Sequence, residues 1–367
     1  MPIDRRRFIG LMGASLMAPS VLHTIPNPPV RYLSARSGAD DRRFVSGFSA
    51  DGTPIFDLLV PGRGHAVAVR PGEREAVLVA RRPGRFLAII DLKHGREERQ
   101  VEAAAGRHFC GHGVFSRDGR LFYTTENDFE AGRGVIGVRD ATAGYRQVSE
   151  FPSHGIGPHE LLLGGDGRTL VVASGGILTH PDTGRTKLNP DTMSPSLAYL
   201  SAGTGELLAK NRLPEALHQL SIRHLTTTAD GAIWLATQYE GASSDDPPLL
   251  GLHRPGESIR LLRAPSEVQQ RMRNYCGSIA SDSSGRFVAV SSPRGNLVTF
   301  WNAAGGFVGS TDAIDGCGVA PTRRPGEFLL TSGTGERWHY RVLDEQKKAL
   351  GGGAPSNTRW DNHVSPV

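Results

Sequence analysis

Five histidines, His65, His112, His159, His224 and His363, occupy one position of one repeating unit. Neutral imidazole nitrogens are donors for copper, zinc, nickel and iron, so several of them meeting at a point would make a transition-metal site. In the first four copies the His opens a short apolar strand, a Gly-containing turn follows, and a second apolar strand returns. The stretch from His112 to Thr125 is the clearest example, with its turn at Asp118-Gly119. The spacings His65 to His112 and His112 to His159 are both 47 residues. Two further copies, starting at Gly277 and Gly318, keep the pattern without the His. A repeat of this length, with four short strands per period, predicts a β-propeller. Residues of equal phase in successive blades meet around one axis at one height. The expected site is therefore a ring of the five imidazoles, with iron or copper as the expected ion; a carboxylate beside it, Glu126 or Glu160, would shift the preference toward iron.

The elements that must hold this ring can be counted. After each hairpin comes an alternating third strand, such as Phe86–Asp91, and then a short outer strand. The N-terminal region supplies three strands, near Val30, Arg43 and Pro54, but no innermost one. The missing strand is available at residues 360–367, which carry His363. Pairing the two termini gives an all-β, seven-bladed propeller with no open edge strand. His363 then falls in phase with the other four.

The loops that lead into the innermost strands share a face with those joining the second and third strands of each blade. That face collects the conspicuous polar residues. Arg82, Glu126, Glu160, His180, Arg185, Tyr239, Glu240 and Arg294 are candidate partners of the ligands or contacts for a substrate, as are His108, His154 and His218 just before repeat starts, and Cys110. The long insertion at 175–193 is expected to fold over the channel as a lid, with His180 facing the axis. In propellers of the WD type a His at this loop is structural, but the Trp-Asp strand ending that partners it is missing here.

Composition agrees with a single domain over residues 28–367: 46 Gly and 24 Pro suit many strands joined by tight turns. A net charge of +5, with no basic run interleaved with aromatics, gives no support to nucleic-acid binding. Residues 1–27, with Arg5-Arg6-Arg7-Phe8-Ile9 before a modest apolar stretch, read as a twin-arginine export signal, which places the chain in the periplasm. No other stretch is long and apolar enough to span a membrane unless that signal stays uncleaved. Cys110, Cys276 and Cys317 admit one disulfide and a free thiol, or three thiols near the ring. No Cys-x-x-Cys-His is present, so covalent c-type haem is excluded.

The residues also carry a family likeness. Arg81-Arg-Pro-Gly, the run Gly111–Asp128, Gly155-Ile-Gly-Pro-His, Gly175-Gly-Ile-Leu-Thr-His-Pro-Asp-Thr-Gly-Arg, His218-Gln-Leu-Ser, Gln238-Tyr-Glu-Gly, Ser292-Pro-Arg-Gly and Trp360-Asp-Asn-His resemble the bacterial family called domain of unknown function 1513. The likeness runs from about residue 40 to the C-terminus. It implies an exported seven-bladed propeller encoded beside periplasmic iron-uptake proteins, which are then its expected partners. A looser architectural likeness is to the copper-binding propeller of nitrous oxide reductase. The expected function is a monomeric metal-binding propeller in iron or copper acquisition, and if it is an enzyme, a metal-dependent oxidoreductase. Two other readings stay open: a lactonase-like hydrolase using one metal and a water, and a metal-free scaffold for partner proteins. A scaffold should point its histidines into the blades.

Overall fold

Short strands rich in Val, Leu, Ile and Phe, each ended by a glycine turn, bury one face against the next blade rather than within a single layer. The computed structural model describes residues 29–353 and 357–367, so the expected export signal lies outside the described residues. Seven antiparallel four-stranded sheets form the ring. In chain order the blades span 32–60, 64–102, 107–152, 158–212, 220–262, 278–312 and 316–349. The fourth strand of the first blade is the C-terminal one, Arg359–Pro366, which pairs antiparallel with Tyr32–Ser37. The chain is an all-β seven-bladed propeller, and the closure by its two terminal strands is the one expected.

Seven apolar clusters hold the ring, one at each contact between neighbouring blades. Trp234 and Trp301 join the fifth and sixth blades, with ring centroids 6.4 Å apart. Phe109, Phe122 and Tyr145 join the second and third. At the closure Trp360 packs on Phe48 with Tyr32, Leu329 and Val364, which locks the seventh blade to the first. The sequence reading did not anticipate the helix Ser266–Arg271, which leads into the sixth blade and packs Val268 and Met272 on the fifth and sixth.

Six of the seven innermost strands contain a β-bulge; Ser278–Ser281 of the sixth blade pairs without interruption. His65 lies in the break between Gly64 and Val67, His112 between Phe109 and Gly113, and His159 between Pro158 and Glu160. His363 lies in the stretch between Trp360 and Val364 that faces Ala35 alone. In the fifth blade the extra residue is Arg223, immediately before His224. A bulge breaks the strict two-residue alternation of a strand and re-aims the side chains beside it.

Trp360→Ala should remove the closure contact and lower stability by roughly 3–5 kcal/mol, the usual cost of truncating a buried large aromatic. Urea unfolding followed by tryptophan fluorescence would measure it. A loss under about 1 kcal/mol would show that the terminal strand contributes little to the ring.

Candidate metal centre

The bulges turn the five histidines to the axis, where they face one another instead of their own blades. Ring centroids lie 4.4 Å apart for His65 and His363, 4.7 Å for both His112–His363 and His224–His363, and 4.8 Å for His159–His224. The widest of the measured pairs, His65–His224, is 6.3 Å. Gly111 makes the crowding feasible: it sits at φ +111, and a Cβ there would come within 2.4 Å of the His65 ring. Thr125 ties two blades together by donating to the backbone carbonyls of His112 and His159.

Polar neighbours occupy the Nδ1 side of these rings. His65 Nδ1 is 3.3 Å from Asp361 Oδ1, and His224 Nδ1 is 3.1 Å from Glu160 Oε2. His112 Nδ1 lies 3.7 Å from the other oxygen of Glu160, and His363 Nδ1 is 3.5 Å from the Ser278 hydroxyl. The Nε2 atoms of His65, His112, His224 and His363 are buried with no hydrogen-bond partner in the protein. A carboxylate on Nδ1–H fixes the tautomer and leaves the Nε2 lone pair directed away, which is the arrangement of metal-ligating histidines.

Two groups, His65–His112–His159 and His112–His224–His363, could hold a metal ion, each with ligand atoms within 4.8 Å of one another. That separation places every atom within about 2.8 Å of a common point, against a bond of 2.0–2.1 Å, so small side-chain rotations suffice. His112 belongs to both groups. The protonation states agree with this role. Burial, and after it the neighbouring imidazoles, hold His65, His112, His159 and His363 below the ordinary histidine range. Burial opposes ionisation of Asp361, but His65, Arg81 and Arg63 together hold its carboxyl far below the usual carboxylate range. Asp361 also forms ion pairs with Arg63 at 2.6 Å and Arg81 at 3.3 Å.

A cavity of about 300 Å³ opens beside the rings, and its wall includes His65, His159 and His224. Of the expected ligand partners and substrate contacts, Arg82, Cys110, Arg185, Glu240 and Arg294 line it, and Glu160 supports two imidazoles from behind. The remaining candidates lie elsewhere. Glu126 is fully buried inside the third blade, paired with Arg139 at 2.6 Å and accepting from Thr124, so it is no ligand to the ring. His108 stacks on Phe129, and His180 meets the same ring edge-on and approaches Glu130 and Asp182. The 175–193 insertion does reach the expected face, but it sends Arg185 and Lys187 into the cavity rather than His180. His154 bonds the Gly205 carbonyl, His218 caps its own turn at Glu215, and Tyr239 donates to Asp245. The three cysteines are free and buried, with no disulfide among the described residues. Burial pushes the Cys110 and Cys276 thiols up to about 12.

Asp361, Arg81, Arg223, Tyr275 and Asn362 are the site residues that the sequence reading passed over. Two local signals pointed to them: Asp361 lies two residues before a ring histidine, and Arg223 directly before another. Regular alternation would send Arg223 and His224 to opposite faces, and the bulge brings both to the cavity.

The fold and its axial histidines define the class: a seven-bladed β-propeller with a cluster of imidazoles at the centre of the ring. Residues 58–367 match the family described as Protein of unknown function (DUF1513), and the chain belongs to it. Among solved structures it is similar to Kuenenia stuttgartiensis hydrazine synthase, at 14% identity and a TM-score of 0.59, over 90% of this chain and 98% of that one. At that identity the likeness is one of fold. No curated protein matches the chain. No helix among the described residues is long and apolar enough to cross a membrane.

The burial of His65, His112, His159 and His363, which disfavours their charged forms, gives the metal-free protein a predictable response to acid. The unfolded chain takes up protons on these histidines near pH 6.5, while the folded ring resists them. Their contribution to stability is complete above that pH and falls below it, by up to about 1.4 kcal/mol per pH unit per imidazole. The urea midpoint should drop between pH 7 and pH 5, and His112→Gln should flatten that slope. An identical slope in the variant would contradict neutral burial of the ring.

Proposed function

We propose that this propeller binds one transition-metal ion, copper or iron, in its axial imidazole cluster, and serves in acquiring the metal or changing its redox state in the periplasm. The observation that carries the reading is the set of four buried, unpartnered Nε2 atoms whose rings are oriented from the Nδ1 side. Leaving a buried polar nitrogen unpaired costs about 1–3 kcal/mol, and four at one point are better explained by a shared cation than by four separate losses. The inward donors are all imidazole, since Glu160 approaches the rings at Nδ1 and Glu126 is engaged with Arg139. An oxygen-poor set of this kind suits copper better than iron, and copper(II) binds nitrogen donors most tightly among the common divalent ions. The scaffold reading loses support because the histidines face the axis rather than the blades.

Metal analysis of protein exported by its own host is the direct test, and about one equivalent of copper or iron is expected. His112→Ala disrupts both three-histidine groups and should strip the metal while the far-UV spectrum stays that of the native propeller. Glu160→Gln keeps the shape but weakens the Nδ1 hold, and should lower affinity by about 10–100-fold. His154→Ala, outside the ring, should change nothing. Full metal retention in His112→Ala would end the proposal.

Export by the twin-arginine route belongs to the same proposal. Arg5→Lys with Arg6→Lys should leave the precursor in the cytoplasm, as read by fractionation and immunoblotting. Undiminished periplasmic protein would refute this route.

A further inference from the structure

The cavity beside the imidazoles is strongly cationic. Six basic side chains line it: Arg81 and Arg82 from the second blade, Arg185 and Lys187 from the 175–193 insertion, Arg223 from the fifth blade and Arg294 from the sixth. Two carboxylates serve them. Arg81 pairs with Asp361, which Arg63 shares, while Lys187 and Arg223 both approach Glu240, Arg223 at 3.5 Å. Arg82, Arg185 and Arg294 have no carboxylate partner among the described residues. Arg223 is 7% exposed, and its Nε is buried without a hydrogen-bond partner. Arg294 is held in place by stacking over the Tyr275 ring, 4.4 Å from its centroid.

Guanidinium groups stay charged in proteins and present planar forks that match carboxylate and phosphate oxygens. Bringing so many of them around one cavity is electrostatically unfavourable unless an anion completes the set. The nearness of a metal cation would add to that repulsion. Three unpaired guanidinium groups correspond to a ligand of two or three negative charges, and about 300 Å³ lies at the small end of small-molecule sites.

We propose that the cavity is a binding site for a small multivalent oxyanion, one carrying two or more carboxylate or phosphate groups, held by Arg82, Arg185, Arg223 and Arg294. Lys187 and Glu240 form its outer rim, where Glu240 can also accept from a ligand hydroxyl. The site goes beyond the metal reading and needs no metal, since its donors all belong to this chain. If a metal is bound, the anion lies beside it, because His65, His159 and His224 share the wall.

Isothermal titration of the exported protein at fixed ionic strength, with metal content measured in each sample, tests this. Citrate and pyrophosphate are the probes, and acetate is the monovalent control. One equivalent of citrate or pyrophosphate should bind at least tenfold more tightly than acetate, and added salt should weaken the binding. The stronger of the two identifies carboxylate or phosphate as the preferred group. Arg185→Met with Arg294→Met changes only exposed loop residues and should weaken binding at least tenfold, as should Arg223→Met. Arg254→Met, which removes a half-buried arginine paired with Asp230 and absent from the cavity lining, should leave it unchanged. His112→Ala should lose metal yet keep the anion, so a failure of the metal reading and a failure of this one are separate results. Absence of binding by both polyanions, or equal binding in the Arg185→Met, Arg294→Met protein, would overturn the proposal.

Discussion

A ring of twisted sheets leaves little room at its axis, and residues of equal phase on the innermost strands must share that room. This constraint accounts for the centre of the molecule. Imidazoles that would be unremarked on any single blade come to within 4.4–6.3 Å of their neighbours in the cluster when five of the seven blades carry one. Their neighbours are then selected by the same crowding. Gly111 is small because the His65 ring lies against it, and Asp361 and Glu160 stand where their oxygens can accept from the Nδ1 side of His65 and His224.

Crowding alone would bury the charges at a loss, so the polar groups are arranged in layers. Imidazole rings occupy the axis, carboxylates lie behind them, and guanidinium groups stand at the mouth. Each layer offsets the field of the next: Asp361 is kept ionised by Arg63 and Arg81, and in turn orients His65. The bulges permit this layering, since a regular strand would offer the axis only every second side chain.

The fold was legible in the sequence because its signals are periodic and redundant. Strand alternation, glycine turns and the phase of the histidines each point to seven blades, and the Trp360-Asp-Asn-His segment supplied the missing strand. The imidazole cluster was legible for the same reason. What surrounds it was not, because pairing among polar side chains depends on bulges and loop paths that leave no periodic trace. Glu126 found Arg139 across its own hairpin, and His180 turned to Phe129 rather than the axis. Arg223 was hidden by the rule of alternation that the bulge breaks, and Asp361 by its place within a strand identified only for closure.

The terminal strand has a consequence for the order in which the site comes into being. His65 and its orienting carboxylate, Asp361, are 296 residues apart in the chain, and the two meet only when the first and last strands pair. Six complete blades would still lack His363, Asp361 and the anchor for Arg63 and Arg81. Long-range closure of this kind is among the slower steps available to a folding chain. Until the ends join, only His65, His112, His159 and His224 can come together, without the carboxylate that orients His65 and without the second of the two three-imidazole groups, so the finished centre is itself a record that the chain has closed.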